Sequence, residues 1–307
     1  MSAWLFSGQL SEHAGMGADL LAASAQARAL LARASGRIGF DLGRALSDPA
    51  EIGENRAAQP GVFLVSVLAA DELARRGVAP DAIAGYSLGN YAALVAAGAV
   101  SFDDALDVLL AVTETVERLG IGGAMGAVIG VGVPAAEEVC AALRAAGDPV
   151  WIGNVNAATQ LVLTGSGRGI DRALAELSPR ALKVIRLPMT WPIHSPLMEP
   201  VADAVRTVVA GCASIAAPRV PLYAGHRAAR IEAAEDVADL LARQIALPSR
   251  WKETVERMFA DGHRDFLEVG PGETLSRMLR WIVREGRCRP AGTLAAIEGI
   301  AREREAK

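Results

Sequence analysis

Residues 82–100, AIAGYSLGNYAALVAAGAV, join a short apolar run to an alanine-rich one through a single serine flanked by two glycines. The pentapeptide from Gly85 to Gly89 fits G-x-S-x-G, a tight turn between a buried strand and a helix. A Cβ at either glycine of such a turn would strike neighbouring backbone. The turn exposes the Ser87 hydroxyl and sets it at a helix N-terminus, where unpaired N–H groups and the positive dipole end stabilise an anion. The Leu88 N–H is the obvious donor. A simple N-cap serine or a chance match fits five residues as well, and the preceding apolar run and the following helix weigh against both.

The rest of the chain repeats this alternation. AWLFSG reads as a buried strand with a glycine at its exit, and QPGVFLVSVLAADELARRG as an apolar helix closing on Gly77. Strands alternating with helices point to a parallel sheet covered on both faces. From Gly123 the texture changes. The segments GAMGAVIGV, AAEEVCAALRAAG, PVWIGNVN, QLVLTGS, GIDRALAELSPR and LKVIRLPM read as strand, helix, strand, strand, helix, strand, the ferredoxin-like order. The expectation is an α/β fold with an inserted ferredoxin-like small subdomain at residues 123–189. Residues 1–122 and 190–307 would form the larger parallel-sheet subdomain, and the tail GIAREREAK a fraying helix end.

Several function classes fall away on composition. The 307 residues carry a net charge of -4, without the basic excess usual in nucleic-acid binders. No run of about 18 uncharged apolar residues occurs, and MSAWLFSGQLSEHAGMG lacks a basic segment followed by a long apolar one. The expectation is a soluble cytoplasmic protein that binds neither membrane nor nucleic acid. Cys140, Cys212 and Cys288 stand alone with no CxxC spacing, which suggests neither a disulfide framework nor a zinc site.

A serine nucleophile needs a base, and four histidines are available. His13 lies in a polar N-terminal loop, His226 in YAGHRAAR, and His263 in ADGHRD, a turn between helix and strand. His194 differs. It lies in LPMTWPIHSPLMEP, where Pro188, Pro192 and Pro196 hold the backbone extended or turned and apolar neighbours partly desolvate an imidazole. Such an imidazole can take the serine proton and return it to a leaving thiol. A satisfied structural histidine is the alternative.

The segments FSGQ, AAQP, GYSLGNYAALVAAGAV, GAMGAVIG, NVNAATQLVLTG, IHSPLM, RQIALPSRW and FLEVGPGETL occur in a telling order and spacing over almost the whole chain. In that order and spacing the sequence resembles the malonyl-CoA:acyl-carrier-protein transacylases. That family includes the bacterial fatty-acid enzyme, polyketide-synthase acyltransferases and the epsilon subunit of malonate decarboxylase. The resemblance implies an α/β-hydrolase-like core and a ping-pong mechanism through an acyl-serine. Ser87 would be the nucleophile and His194 its base, oriented by a main-chain carbonyl near Gln244 in place of a carboxylate. The backbone N–H groups of Gln9 and Leu88 would form the oxyanion hole. Asn154 and Asn156 match a family element in which a structural role is at least as plain as a functional one. No cofactor is implied as bound; the phosphopantetheine of CoA or of an acyl carrier protein is substrate.

The departures from the family bear on the acyl group. Malonyl-selecting members carry an arginine in the helix before GAM, because a guanidinium can pair both oxygens of the free carboxylate. Here that position falls on Val112, with Val116 in place of a methionine and Arg118 six residues further along. Tyr86 replaces the histidine usual before the nucleophile, Asn90 replaces a glutamate, and Trp191-Pro192-Ile193-His194 matches neither pattern associated with malonyl or methylmalonyl choice. Drift in a divergent member would also produce such changes. The expected substrate pocket, formed by Tyr86, Val112, Trp191 and Ile193, suits an acyl group without a free carboxylate.

Two acceptors fit this reading. A transacylase passes the acyl group to the phosphopantetheine thiol of a carrier protein, whereas an editing hydrolase of the same fold gives it to water. The resemblance also leaves room for a malonyl transacylase, a decarboxylase epsilon subunit or an inactive carrier-binding subunit. Carrier proteins are usually acidic. Arg277, Arg280 and Arg284, read as one face of a helix and followed by Arg287 and Arg289, supply positive charge for docking; a solvated helix face explains them too.

Overall fold

The computed structural model describes residues 2–306, which form ten strands in two sheets. In chain order the strands are β1 (Ser2–Phe6), β2 (Ala82–Gly85), β3 (Ala124–Ile129), β4 (Val150–Ala157) and β5 (Gln160–Gly165). They continue with β6 (Lys183–Arg186), β7 (Leu222–Ala224), β8 (Ala229–Ile231), β9 (Asp265–Val269) and β10 (Arg287–Pro290).

The larger sheet has the order β10-β9-β1-β2-β7-β8 and is parallel except for β8, which returns antiparallel to β7. All five residues of β1 and all four of β2 are buried, as strands covered on both faces must be. Phe6 stands level with Gly85 on one side and Val269 on the other, so three central strands end together at their carboxyl edge. In open α/β sheets that edge is where ligands bind.

Residues 55–77 depart from the sequence reading. The apolar helix begins earlier, at Asn55, and runs to Arg75 with Pro60 buried inside it. It is long and apolar enough to cross a membrane, yet it is the central helix of the core, packed against the strands and its neighbouring helices. The C-terminal segment is helical over Leu294–Glu305, and Lys307 lies outside the described residues.

The smaller sheet is antiparallel in the order β4-β5-β3-β6. Helices Val133–Ala145 and Gly167–Leu177 complete the βαββαβ arrangement and cover one face, burying Ala136, Val139, Cys140, Ile170 and Leu174. Met125, Ala127 and Val162 point the other way, into a cleft between the two sheets. The chain re-enters the larger unit through residues 187–195, where Gly123 N donates to Thr190 O at 2.8 Å.

The arginines expected on one helical face are not arranged that way. The helix there is Thr274–Leu279, only six residues, and Arg280 is its C-cap. Arg284 sits in the turn that follows, where the chain reverses to enter β10, and Arg287 and Arg289 lie on β10 itself. Side-chain periodicity continues through this segment because Val283 is buried like Met278 and Leu279, but the backbone helix has already ended.

Candidate active site

The carboxyl ends of β1 and β2 and the loop after β6 meet at one point. Ser87 stands two residues beyond the end of β2, with φ at +53°, and the helix Gly89–Ala96 starts two residues later. The turn is this sharp because its glycines have no Cβ. One at Gly85 would lie 2.3 Å from Asn90 N, and one at Gly89 would lie 2.2 Å from Phe6 O. A left-handed serine is strained by roughly 1–3 kcal/mol, and the surrounding backbone holds it there.

His194 also has a left-handed backbone, with φ at +62°. Its Nε2 lies 2.8 Å from Ser87 Oγ. On the far side of the ring, Nδ1 lies 2.9 Å from both Gln244 O and Leu247 O. Carbonyls only accept, so Nδ1 carries the proton and Nε2 is left with a lone pair directed at the serine hydroxyl. Gln244 can serve in this way because it caps the helix Ala234–Arg243, whose last carbonyls have no intrahelical partner. Burial holds the His194 pKa below its ordinary 6.5, opposed by the two carbonyl hydrogen bonds, so the neutral form prevails at neutral pH.

Ser87 and His194 line two spaces at once. The first is a cavity of about 30 Å³ walled by Leu109, Val112, Trp191, Ile193, Ile245 and Tyr91, with amides from Gln9, Gln59 and Gln244. The second is the cleft of about 170 Å³ between the sheets, bordered by Leu10, Tyr86, Asn154, Asn156, Thr274 and Met278 among others. Neither space is lined by an Asp, Glu, Lys or Arg among the described residues. Arg118 is exposed on the last turn of its helix, and Val116 is buried outside the cavity.

The other residues singled out on sequence fall as follows. Among the described residues, the N–H groups of Gln9 and Leu88 donate no backbone hydrogen bond, and both residues border the cavity. The Gln9 side chain donates to Asn55 Oδ1 at 2.7 Å and ties the loop after β1 to the central helix. Tyr86, grouped with the pocket on sequence, lines the cleft and not the cavity. Asn90 donates to Gln244 Oε1 at 2.8 Å, joining the helix after Ser87 to the loop behind His194. His13, His226 and His263 line neither space; His226 faces Asp239 at 3.3 Å and His263 packs edge-on to Tyr223. Sequence reasoning misses Leu247, Gln59, Tyr91, Leu109 and Ile245 as parts of the site. Of these, Leu247 and Ile245 lie in RQIALPSRW, Gln59 in AAQP and Tyr91 in GYSLGNYAALVAAGAV, segments that carry the resemblance without singling them out.

Known proteins resemble this chain over most of its length. The model of the family described as "Acyl transferase domain" matches residues 3–301. The malonyl CoA-acyl carrier protein transacylase of Bacillus subtilis is 32% identical over 288 residues, covering 92% of this chain and 90% of that protein. The polyketide biosynthesis protein ThaF of Burkholderia thailandensis is 34% identical over 289 residues, spanning 92% of this chain and 24% of ThaF. Among solved structures, PlMCAT in its complex with AntF, a type II polyketide-synthase acyl-carrier protein with its malonyl-transacylase, is similar. It superposes with a TM-score of 0.92 at 29% identity, covering 98% of this chain and 99% of that one.

Proposed function

We propose, from the premise that this chain belongs to the acyl transferase domain family, that it moves an acyl group without a free carboxylate from one thioester to the phosphopantetheine thiol of an acyl carrier protein. It is a serine-dependent acyltransferase of the kind found in fatty-acid and polyketide biosynthesis. The steps follow from the dyad. Ser87 Oγ attacks the thioester carbonyl as its proton passes to His194 Nε2, and the oxyanion that forms accepts from the N–H groups of Leu88 and Gln9. The C–S bond breaks, the departing sulfur takes the proton from His194, and an acyl-serine ester remains. The carrier thiol then gives its proton to His194 and attacks the ester; the ester C–O bond breaks and Ser87 Oγ takes that proton back from His194, restoring both groups.

The observation that carries the substrate reading is Val112, 3% exposed and in the wall of a cavity lined by no cationic side chain among the described residues. A malonyl carboxylate buried there would lack a partner, at a cost of several kcal/mol. The family resemblance implies an arginine at this point in members that select malonyl groups. Carrier docking would use the lip of the cleft formed by Thr274 and Met278, beside which Arg277, Arg280 and Arg284 are exposed.

Intact-mass spectrometry after incubation with a panel of acyl-CoAs and acyl carriers tests this reading. A Ser87 adduct of an uncharged acyl group, discharged only when unloaded carrier is added, is the expected result. Release of free acid without a lasting adduct would make the protein an editing hydrolase, and malonyl as the dominant adduct would overturn the substrate assignment. Val112→Arg is expected to raise malonyl loading relative to acetyl by about tenfold, the worth of one charge-assisted pair. No change in that ratio would remove Val112 from acyl selection.

A further inference from the structure

Tyr86 has no part in the chemistry above, yet its side chain is held by several neighbours. Its ring packs edge-on against Trp251, with centroids 5.2 Å apart and planes at 76°. Gly8 makes room for it, since a Cβ there would lie 2.7 Å from Tyr86 Cδ1. The phenol reaches across to β4, donating to Asn156 Oδ1 at 2.9 Å and accepting from Asn154 Nδ2 at 3.3 Å. Burial pushes its pKa up to about 12, so the hydroxyl keeps the proton it donates.

β4 and its neighbour β5 hold the other parts of the site. Thr164 Oγ1, on β5, donates to the carbonyl of Ile193 at 2.7 Å, one residue before the base. On β4, Gly153 O accepts from Ser249 N at 2.8 Å and Val155 N donates to Ser249 O at 2.9 Å, two residues beyond Leu247. Asn154, Asn156 and Thr164 are 3%, 4% and 0% exposed, so their polar groups face these bonds and not solvent. The nucleophile turn, the base loop and the carbonyl loop come from three distant parts of the chain. All three are fastened to β4 and β5. Both reacting residues sit in left-handed backbone, which persists only where the surroundings over-determine it.

We propose that Tyr86 is a positioning residue, and that its bonds to Asn156 and Asn154 lock the nucleophile turn to β4 and so set the Ser87–His194 geometry. The smaller sheet is then part of the reacting framework as well as a wall of the cleft. This rests on the acyl-transfer reading for the identity of the reacting groups.

A fluorophosphonate, which labels an activated serine, reads the Ser87–His194 pair without any acyl substrate. Tyr86→Phe removes only the hydroxyl. It is expected to slow labelling and saturating acyl transfer about tenfold, within what a small misplacement of reacting groups produces, with KM unchanged within about twofold. Asn156→Val should slow both in the same way, and the double variant should be no slower than Tyr86→Phe alone, because the two changes break one connection. Labelling at the wild-type rate in either single variant, or a raised KM with labelling intact, would overturn the proposal, the latter because Tyr86 would then contact substrate. Additive slowing in the double variant would also overturn it. A wild-type protein that labels but loads no acyl group refutes the acyl-transfer reading alone, and the labelling series still decides the role of Tyr86. Should Tyr86→Phe fail to fold, Asn156→Val decides by the same labelling rate.

Discussion

Ser87→Ala is expected to show no acyl adduct by intact mass with any thioester offered, and transfer to the carrier should fall on the order of 10⁶-fold, as when a serine enzyme loses its nucleophile. The reason is local. Among the described residues, no other hydroxyl or thiol is hydrogen-bonded to His194 Nε2: the lining offers Tyr91 in the cavity, and Tyr86 and Thr274 in the cleft, none of them joined to the imidazole. An adduct surviving in Ser87→Ala would mean that the acyl group is carried elsewhere, and the mechanism above would be lost. Loading by the wild-type protein that disappears in this variant would also discard the reading of the chain as an inactive carrier-binding subunit.

The second large effect belongs to the base. His194→Ala should lower the acylation rate at least about 10²-fold, the lower range for general base catalysis, while leaving Ser87 able to acylate slowly. A smaller loss would remove His194 from the mechanism. The pH dependence has a definite sign. Burial lowers the His194 pKa, and only the neutral form accepts the serine proton. Acylation is therefore full at neutral pH and is lost as pH falls through a midpoint below 6.5. A midpoint above the ordinary histidine value in a stopped-flow acylation profile would contradict the burial of the ring.

Much of this is legible in the sequence itself. Ser87 stands out through its glycines, because a backbone that must pass within 2.2 Å of where a Cβ would sit leaves no choice of residue at Gly89. The parallel core and the ferredoxin-like order follow from where apolar runs and helical stretches alternate. What the sequence conceals is of two kinds. Leu247 meets His194 Nδ1 through a carbonyl, a group every residue has, so no side-chain pattern could single it out. Arg277, Arg280 and Arg284 keep a helical spacing past the point where the helix stops, because a turn that buries Val283 preserves the periodicity of burial without the helix. Tyr86 adjoins the nucleophile, and adjacency in sequence suggests the acyl pocket for it. Neighbouring side chains on such a turn point apart, and it faces the cleft.

The two carbonyls behind His194 have an electrical consequence. A dyad backed by a carboxylate holds a permanent negative charge, whereas this one is neutral at rest, and no ionised side chain lines either space beside it among the described residues. In the proposed mechanism, opposite charges arise here only for the lifetime of the tetrahedral intermediate, as imidazolium and oxyanion created and extinguished together. Ionic strength therefore has little at the reaction centre to screen. Any salt dependence of the overall rate reports the encounter with the carrier, and the chemical step can be followed separately from docking by titrating salt alone.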